Sequence, residues 1–189
     1  MKILLTGANG YIGLRLLPQL IGLGHEVICA VRNKERFNIL KELKEKVTVV
    51  EIDFLKEPVT PDLIKDIDIA YYLIHSMAAS TKDFDDKESR SARNFNMIVA
   101  NTTVQQVIFL SGIVNEEKLS RHLQSRKQVE DILYEGNFNL TVLRAAIIVG
   151  SGSSSFEIIR DLCEKLPVMV TPKWVQTKCQ PIAIRDILN

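Results

Sequence analysis

Three glycines stand at even spacing near the start of the chain, where they could form a phosphate-binding turn. The segment TGANGYIG places Gly7, Gly10 and Gly13 three residues apart. The apolar run 2–5 before them predicts a buried strand, and apolar residues recur at helical spacing over 12–23. A glycine turn between a strand and a helix presents main-chain N–H groups to a pyrophosphate. The sequence therefore favours a dinucleotide-binding turn over a tight turn that binds nothing.

The residue after the second predicted strand, 26–31, bears on which dinucleotide is bound. Arg32 follows that strand, and no carboxylate stands at its tip. An acidic residue there would bind the ribose 2′-hydroxyl of NAD, whereas an arginine accommodates the 2′-phosphate of NADP. The planar guanidinium group of Arg32 suits bidentate contact with a phosphate. The sequence favours NADP(H), with NAD left open and an ordinary solvated arginine as the alternative.

Strand-like and helical segments alternate along the chain, which predicts an α/β fold with a doubly wound parallel sheet. The strand segments are rich in Val, Ile and Leu, as expected when helices cover both faces of a sheet. The charge run 83–88 predicts a solvated loop and helix start. The predicted strands are 2–6, 26–31, 47–52, 69–74, 107–110 and 140–148, and the predicted helices are 11–23, 34–44, 61–65, 85–100, 120–134 and 156–165.

Length and composition indicate the number of domains and exclude some classes of partner. The 189 residues predict one domain, 1–189, and the net charge of +1 argues against a nucleic-acid partner. Three scattered cysteines without a CxxC pair favour a reducing, cytoplasmic location, with no metal site expected. No apolar run approaches the length of a membrane span. We expect the native protein to continue past 189 into a substrate-binding region, and a homodimer is left open.

Several motifs together resemble the extended and atypical short-chain dehydrogenases/reductases, near their epimerase-like and NmrA-like groups. The TGxxGxxG segment resembles the family fingerprint, and Ile108-Phe109-Leu110-Ser111-Gly112 resembles its fifth strand, which ends in a catalytic serine. Segments 143–152 and 180–186 resemble the sixth strand with its turn and the start of the substrate region. The resemblance implies a Rossmann fold with a GxxGxxG loop. It also implies NAD(P)-dependent chemistry on an unknown small carbonyl, quinone or sugar-nucleotide-like substrate.

The same resemblance assigns contacts to the cofactor. Asp53 stands where the family contacts the adenine amino group, although a turn-capping role is the alternative. Leu73 and His75 end the segment that lines the adenosine side. For His75, a structural hydrogen-bonded role is favoured over that of a second proton donor. The residues expected to contact the cofactor are Gly7, Asn9, Gly10, Tyr11, Ile12, Gly13, Arg32, Asp53, Phe54, Leu73 and His75.

The sequence departs from the family at its catalytic pair, a Tyr and a Lys four residues apart. His122 falls at the Tyr position and Arg126 at the Lys position, a spacing that keeps both on one helix face. His122 could pass a proton, Arg126 could hold the nicotinamide ribose, and Ser111 could polarise the substrate. Two functions stay open: an NADP(H)-dependent oxidoreductase, and a non-catalytic nucleotide-binding redox sensor, regulator or scaffold.

Overall fold

The structure, a computed structural model, describes residues 1–75, 84–113, 120–166, 168 and 179–189. The chain divides into two compact units, 1–143 and 144–189. Within the described ranges, no helix is long and apolar enough to cross a membrane.

A parallel sheet is the framework of the larger unit, and its strands lie in the order β3-β2-β1-β4-β5-β6. The first five strands pair in parallel, which confirms the predicted doubly wound α/β fold. The strands are β1 (Lys2–Thr6), β2 (Glu26–Val31), β3 (Val47–Glu51), β4 (Ile69–Tyr72), β5 (Gln106–Gly112) and β6 (Asn139–Ala145). The helices are α1 (Tyr11–Gly22), α2 (Lys41–Lys44), α3 (Phe84–Val99) and α4 (Arg121–Tyr134), with a 3₁₀ turn at Asp62–Ile64.

The strand order reverses beside β1, and this reversal creates the cleft described below. Thr6 of β1 pairs with Ala30 of β2 on one side, and Leu5 pairs with Tyr71 of β4 on the other. The chain leaves β1 and β4 in opposite lateral directions, so the loops after them separate at the carboxyl edge of the sheet. Ligands of such sheets bind in the crevice at this switch point.

An aromatic cluster fills the core between the sheet and helices α3 and α4. Tyr72 and Phe95 meet edge to face with ring centroids 4.9 Å apart, and Phe109 lies 5.9 Å from Tyr72. Val129 and Leu133 of α4 are buried in the same cluster. Burial of these large side chains supplies the main stabilisation of the unit.

The described residues of the second unit form two short strands and two helices. Strands β7 (Ile148–Val149) and β8 (Ile182–Ala183) pair in parallel, and helices α5 (Ser154–Lys165) and α6 (Ile184–Leu188) follow them along the chain. The predicted strand 140–148 is therefore interrupted, because β6 ends at Ala145 and Ile148 belongs to a different sheet.

The predicted helix 34–44 is wrong over most of its length, because only α2 is helical there. The side chain of Asn33 accepts a hydrogen bond from the N–H of Arg36 at 3.1 Å. Such a local turn competes with helix formation. Phe37, which follows this turn, is buried with 4% exposure and anchors the loop.

Glu88 corrects the interpretation of the charge run 83–88 as solvated. Helix α3 begins at Phe84, and the residue one turn later, Glu88, is only 2% exposed. Glu88 stands at helical spacing before Ala92 and Phe95, both of which are fully buried. The same periodicity that buries these apolar residues therefore carries a carboxylate into the interior.

Candidate functional site

The glycine turn follows β1 and is packed tightly against main-chain atoms. Gly7 has φ of +64°, and a Cβ there would lie 2.6 Å from the carbonyl oxygen of Leu73. A Cβ on Gly13 would lie 2.5 Å from the carbonyl oxygen of Gly7. Both contacts are with backbone, which cannot move aside as a flexible side chain would. Glycine at these two positions is therefore required by the fold of the turn itself.

The helix after this turn begins at the cleft, which Gly10 lines, whereas Tyr11, Ile12 and Gly13 are not among the lining residues. Gly10 is the N-cap of α1 and donates its own N–H to Gly7 at 2.9 Å. The first bond within the helix runs from Leu14 to Gly10 at 3.0 Å, so the N–H groups of Tyr11, Ile12 and Gly13 precede it. Among the described residues no side chain caps this helix end. Such an end attracts an anion.

Thr6 joins the ends of the two central strands beneath the cleft. Its hydroxyl donates to the carbonyl oxygen of Tyr71 at 2.9 Å and accepts from the N–H of Leu73 at 3.2 Å. Thr6 is fully buried. The bonds hold the β4 loop against the glycine turn, where Gly7 and Leu73 are in close contact.

The cleft lies at the carboxyl ends of strands β1 to β4 and encloses about 650 Å³, open solvent at its mouth included. Residues from four separate loops meet here, together with Ser91 of α3, which the sequence analysis missed. The predicted cofactor residues that line it are Gly7, Asn9, Gly10, Arg32, Asp53, Phe54, Leu73 and His75.

Two of these lining residues also have roles in the fold. A side-chain oxygen of Asp53 accepts the N–H of Leu55 at 3.0 Å, which is the turn-capping role stated as its alternative. Phe54 is 5% exposed, and its ring lies 5.9 Å from that of Phe95 in the core. Contact of either residue with a bound nucleotide stays a prediction.

Arg32 is exposed at the end of β2, on the rim of the cleft. The nearest acidic candidate is Glu51, the last residue of β3, which pairs with Val31 in the sheet. A carboxylate oxygen of Glu51 accepts the N–H of Lys34 at 3.2 Å. The loop after β2 is therefore tied to β3 by a carboxylate that lies outside the predicted set of residues.

Beyond the glycine turn, the three predicted catalytic residues lie on β5 and α4. Ser111, near the end of β5, is 4% exposed, and its hydroxyl has no hydrogen-bond partner among the described residues. Ser120 caps α4, since its hydroxyl accepts the N–H of Leu123 at 3.3 Å. His122 is exposed in the first turn of α4, and Arg126 follows one turn later.

Arg126 is buried, with 7% exposure, so the alternative of a solvated helix face is wrong for this residue. Its guanidinium group donates to the carbonyl oxygens of Ile74 and Leu110 and lies 4.6 Å from the ring centroid of Phe109. Nη1 also lies 3.6 Å from Oε2 of Glu88. Burial lowers the pKa of Arg126, and the Glu88 carboxylate opposes that shift. The contact with a nicotinamide ribose expected of Arg126 stays a prediction.

Glu88 connects Arg126 to His75 at the cleft. Its other oxygen, Oε1, lies 3.2 Å from Nδ1 of His75, and the ring of His75 lies 5.0 Å from that of His122. Partial burial, followed by the charges of His75 and Arg126, lowers the pKa of His122 below its ordinary value of 6.5. The structure thus brings four polar side chains from three elements together: His75, Glu88, His122 and Arg126. The helical spacing of Glu88 with Ala92 was the signal that could have identified it.

Comparisons with known proteins agree with this fold. A family described as NAD(P)H-binding matches residues 7–165. No curated protein sequence matches the chain significantly. Among solved structures, UDP-glucuronic acid 4-epimerase from Bacillus cereus in complex with NAD has a TM-score of 0.75 at 18% identity, over 100% of this chain and 70% of that one.

Two further solved structures share the fold at similar identity. A nucleoside-diphosphate-sugar epimerase from Staphylococcus aureus has a TM-score of 0.69 at 20% identity, over 87% of this chain and 55% of that one. The NAD-dependent NDP-hexosamine 5,6-dehydratase TunA has a TM-score of 0.72 at 18% identity, over 99% of this chain and 69% of that one. The glycine turn, the cleft at the sheet switch point and the family match lead to one conclusion: the chain belongs to the NAD(P)H-binding family, with the Rossmann-like fold of the epimerase-type short-chain dehydrogenases/reductases.

Proposed function

We propose that this protein is an NADP(H)-dependent oxidoreductase that acts on a sugar-nucleotide-like or other small carbonyl or quinone substrate. The observation that carries the proposal is the cleft in which the glycine turn, Arg32 and Asp53 meet. The turn supplies main-chain donors for the pyrophosphate, and Arg32 supplies the charge for a 2′-phosphate. The solved structures that share the fold act on nucleotide-activated sugars according to their names, which favours this substrate class.

The residues of the cleft fit such a cofactor. The space beside Gly10 is kept free of a Cβ, and the first turn of α1 offers N–H groups that no described side chain caps. Tyr11 adds a buried hydroxyl with no partner among the described residues. We assign the pyrophosphate to Gly10, Tyr11, Ile12 and Gly13, with Asn9 beside them, and the adenine to Asp53.

The preference for NADP rests on Arg32. Its side chain is exposed at the rim, where it can turn towards a phosphate without losing a burial contact. Glu51, which ends β3, directs one carboxylate oxygen to the main-chain N–H of Lys34. A guanidinium group and a phosphate form charge-assisted bonds that are about twice as strong as neutral ones.

The chemistry assigned to the cofactor, when bound, is hydride transfer. The chain itself must then bind the substrate oxygen and move its proton. Ser111 carries a buried hydroxyl with no described partner, as expected of a group that polarises a substrate oxygen. His122 is the proton-transfer residue of this proposal, since imidazole exchanges protons near neutral pH.

Calorimetric titration of the purified chain with NADPH and NADH tests the cofactor assignment, and NADPH oxidation with a panel of nucleotide sugars, aldehydes and quinones tests the activity. We expect tighter binding of NADPH and turnover of at least one substrate class. Gly10→Val should abolish cofactor binding and leave the fold intact, because a branched side chain would occupy the pyrophosphate space. Preference for NADH would overturn the cofactor assignment.

A second candidate function is that of a non-catalytic NAD(P)-binding sensor or scaffold. One observation favours it: the residue at the family's Lys position, Arg126, directs its guanidinium group to main-chain carbonyls and to Glu88. Tight NADPH binding without turnover of any substrate by the full-length protein would support this function over the first.

A further inference from the structure

Two charged residues lie almost completely buried beside the cleft. The side chain of Glu88 is 1% exposed and that of Arg126 is 9% exposed. Removing two charges from water is costly, and a buried ion pair is often no more stable than a well-packed apolar pair. Next to a ligand cleft, such a pair is better explained by the orientation of a neighbouring side chain than by a contribution to the stability of the fold.

The residue that this pair orients is His75. Oε1 of Glu88 lies 3.2 Å from Nδ1 of His75, while Oε2 of Glu88 lies 3.6 Å from Nη1 of Arg126. A carboxylate has no proton to donate, so Nδ1 is the donor in this contact. The neutral ring then carries its proton on Nδ1, which leaves Nε2 to take up or release a proton.

Arg126 holds the carboxylate of Glu88 in place. Its guanidinium group is fixed by Ile74, the residue before His75, and by Leu110, the residue before Ser111. Stacking on Phe109 holds its plane. Arg126 thus links the loop after β4, the end of β5 and helix α4. Through Glu88, it sets the orientation of the imidazole that lines the cleft.

We propose that His75, oriented by Glu88 and Arg126, is a second acid–base residue of the site, adjacent to His122. The inference rests on the oxidoreductase function proposed above. When a substrate hydroxyl is oxidised, its carbon loses hydride to the cofactor and its oxygen loses a proton to a histidine. In the reverse direction a carbonyl gains both. Nε2 of His75 accepts or supplies that proton, either at the substrate or through His122, whose ring is 5.0 Å away.

This arrangement replaces the Tyr and Lys of the family by a carboxylate, an imidazole and an arginine. A carboxylate that holds a histidine in one tautomer stabilises the charge which the ring acquires during proton transfer. Glu88 and Arg126 are positioning residues in this scheme, because they act through His75. Among the described titratable groups, His122 on α4 lies with its ring 5.0 Å from that of His75. Tyr72 on β4, whose pKa is raised by burial, interacts with Glu88 and Arg126.

The tautomer of His75 can be measured without cofactor or substrate. The chain has three histidines, so long-range nitrogen–proton NMR gives few side-chain signals, and single substitutions of each residue assign them. We expect neutral His75 to be protonated on Nδ1, and Glu88→Gln to shift the tautomer towards Nε2. A neutral His75 protonated on Nε2 in the unsubstituted protein would overturn the inference.

Glu88→Gln removes one charge of a buried pair and can destabilise the fold. The double variant Glu88→Gln/Arg126→Gln removes both charges, so neither partner is left as an unpaired buried charge, and it keeps the test decisive. Retention of the Nδ1 tautomer in a folded double variant would show that the pair does not orient the ring.

Activity supplies the second measurement. His75→Asn should reduce kcat by about 100-fold or more, the size expected for loss of an acid–base group, and should change the NADPH dissociation constant far less, although His75 lines the cofactor cleft. His25→Asn is the matched control, because His25 lies between α1 and β2 at the opposite edge of the sheet, and it should change neither quantity. Full activity of His75→Asn would overturn the acid–base role. Failure of the unsubstituted protein to turn over any substrate would overturn the proposed function with it, whereas the NMR result alone decides whether Glu88 orients His75.

Discussion

The hydroxyl of Thr6 accepts the main-chain N–H of Leu73 at 3.2 Å, across the two strands at which the sheet order reverses. The same hydroxyl donates to Tyr71 at 2.9 Å. One buried side chain thus satisfies two main-chain groups and fixes the wall against which Gly7 packs. The geometry of the cleft depends on this contact between β1 and β4.

Thr6→Val should destabilise the protein by about 1–3 kcal/mol, because it leaves buried main-chain groups without their partner. Urea unfolding measures the change. The control is Thr103→Val, which removes a single bond, 2.9 Å long, to the carbonyl oxygen of Ile67 at an exposed residue. An equal loss of stability in both variants would show that the two hydrogen bonds of Thr6 contribute no more than the single bond of Thr103. NADPH affinity should fall in the Thr6 variant only.

Gly13→Ala should destabilise the protein by about 1–3 kcal/mol, since a Cβ at this position overlaps backbone atoms that cannot move aside. The new atom would lie 2.5 Å from the carbonyl oxygen of Gly7 and 2.8 Å from Cα of Ala8. Gly22→Ala, at the other end of the same helix, meets nothing within 4 Å. It should stabilise the protein by about 0.5–1 kcal/mol, as expected for a helical glycine. Thermal unfolding should show a lower melting temperature for Gly13→Ala and a higher one for Gly22→Ala.

Arg32→Asp should invert the cofactor preference, weakening NADPH binding by about tenfold or more, which corresponds to about 1.4 kcal/mol. Calorimetric titration with NADPH and NADH measures both affinities. Arg36→Asp makes the same change of charge in the same loop and serves as the control. If both variants weaken NADPH binding equally, the effect comes from the overall charge of the loop and not from contact with Arg32.

His122 should titrate below its ordinary pKa of 6.5, because partial burial and the charges of His75 and Arg126 disfavour its protonated form. The unfolded chain then binds more protons in this range than the folded chain. The stability contributed at His122 is therefore complete above about pH 6.5 and is lost as the pH falls from there through the lower pKa of the folded state.

Urea unfolding at pH values above and below the titration of His122 tests whether the protein loses stability on acidification. His122→Asn should lose less stability on acidification than the unsubstituted protein. In His75→Ala, the NMR titration midpoint of His122 should rise, because one of the groups that lower it is gone. An unchanged midpoint would show that His75 does not contribute to the lowered pKa of His122.

The sequence determined the elements whose signals are local. The glycine spacing and the apolar runs around it predicted β1, α1 and β2, and the bounds of both strands are confirmed as 2–6 and 26–31. The match to family residues at Ser111 and in the glycine turn predicted the fold. A strand buried on both faces and a glycine turn are each specified by neighbouring residues, so they can be recognised without knowledge of the rest of the chain.

Tertiary contact decided the rest. Asn33 formed a turn and Phe37 became buried, which displaced the predicted helix 34–44. Glu88 was predicted to be solvated from its charged neighbours, yet its buried position beside Arg126 depends on how α3 packs against α4. The meeting of His75, Glu88 and Arg126 joins three segments that are distant in sequence, and no local pattern encodes such a distance. Local residues specified the cofactor turn, whereas the packing of helices on the sheet decided which polar side chains meet beside it.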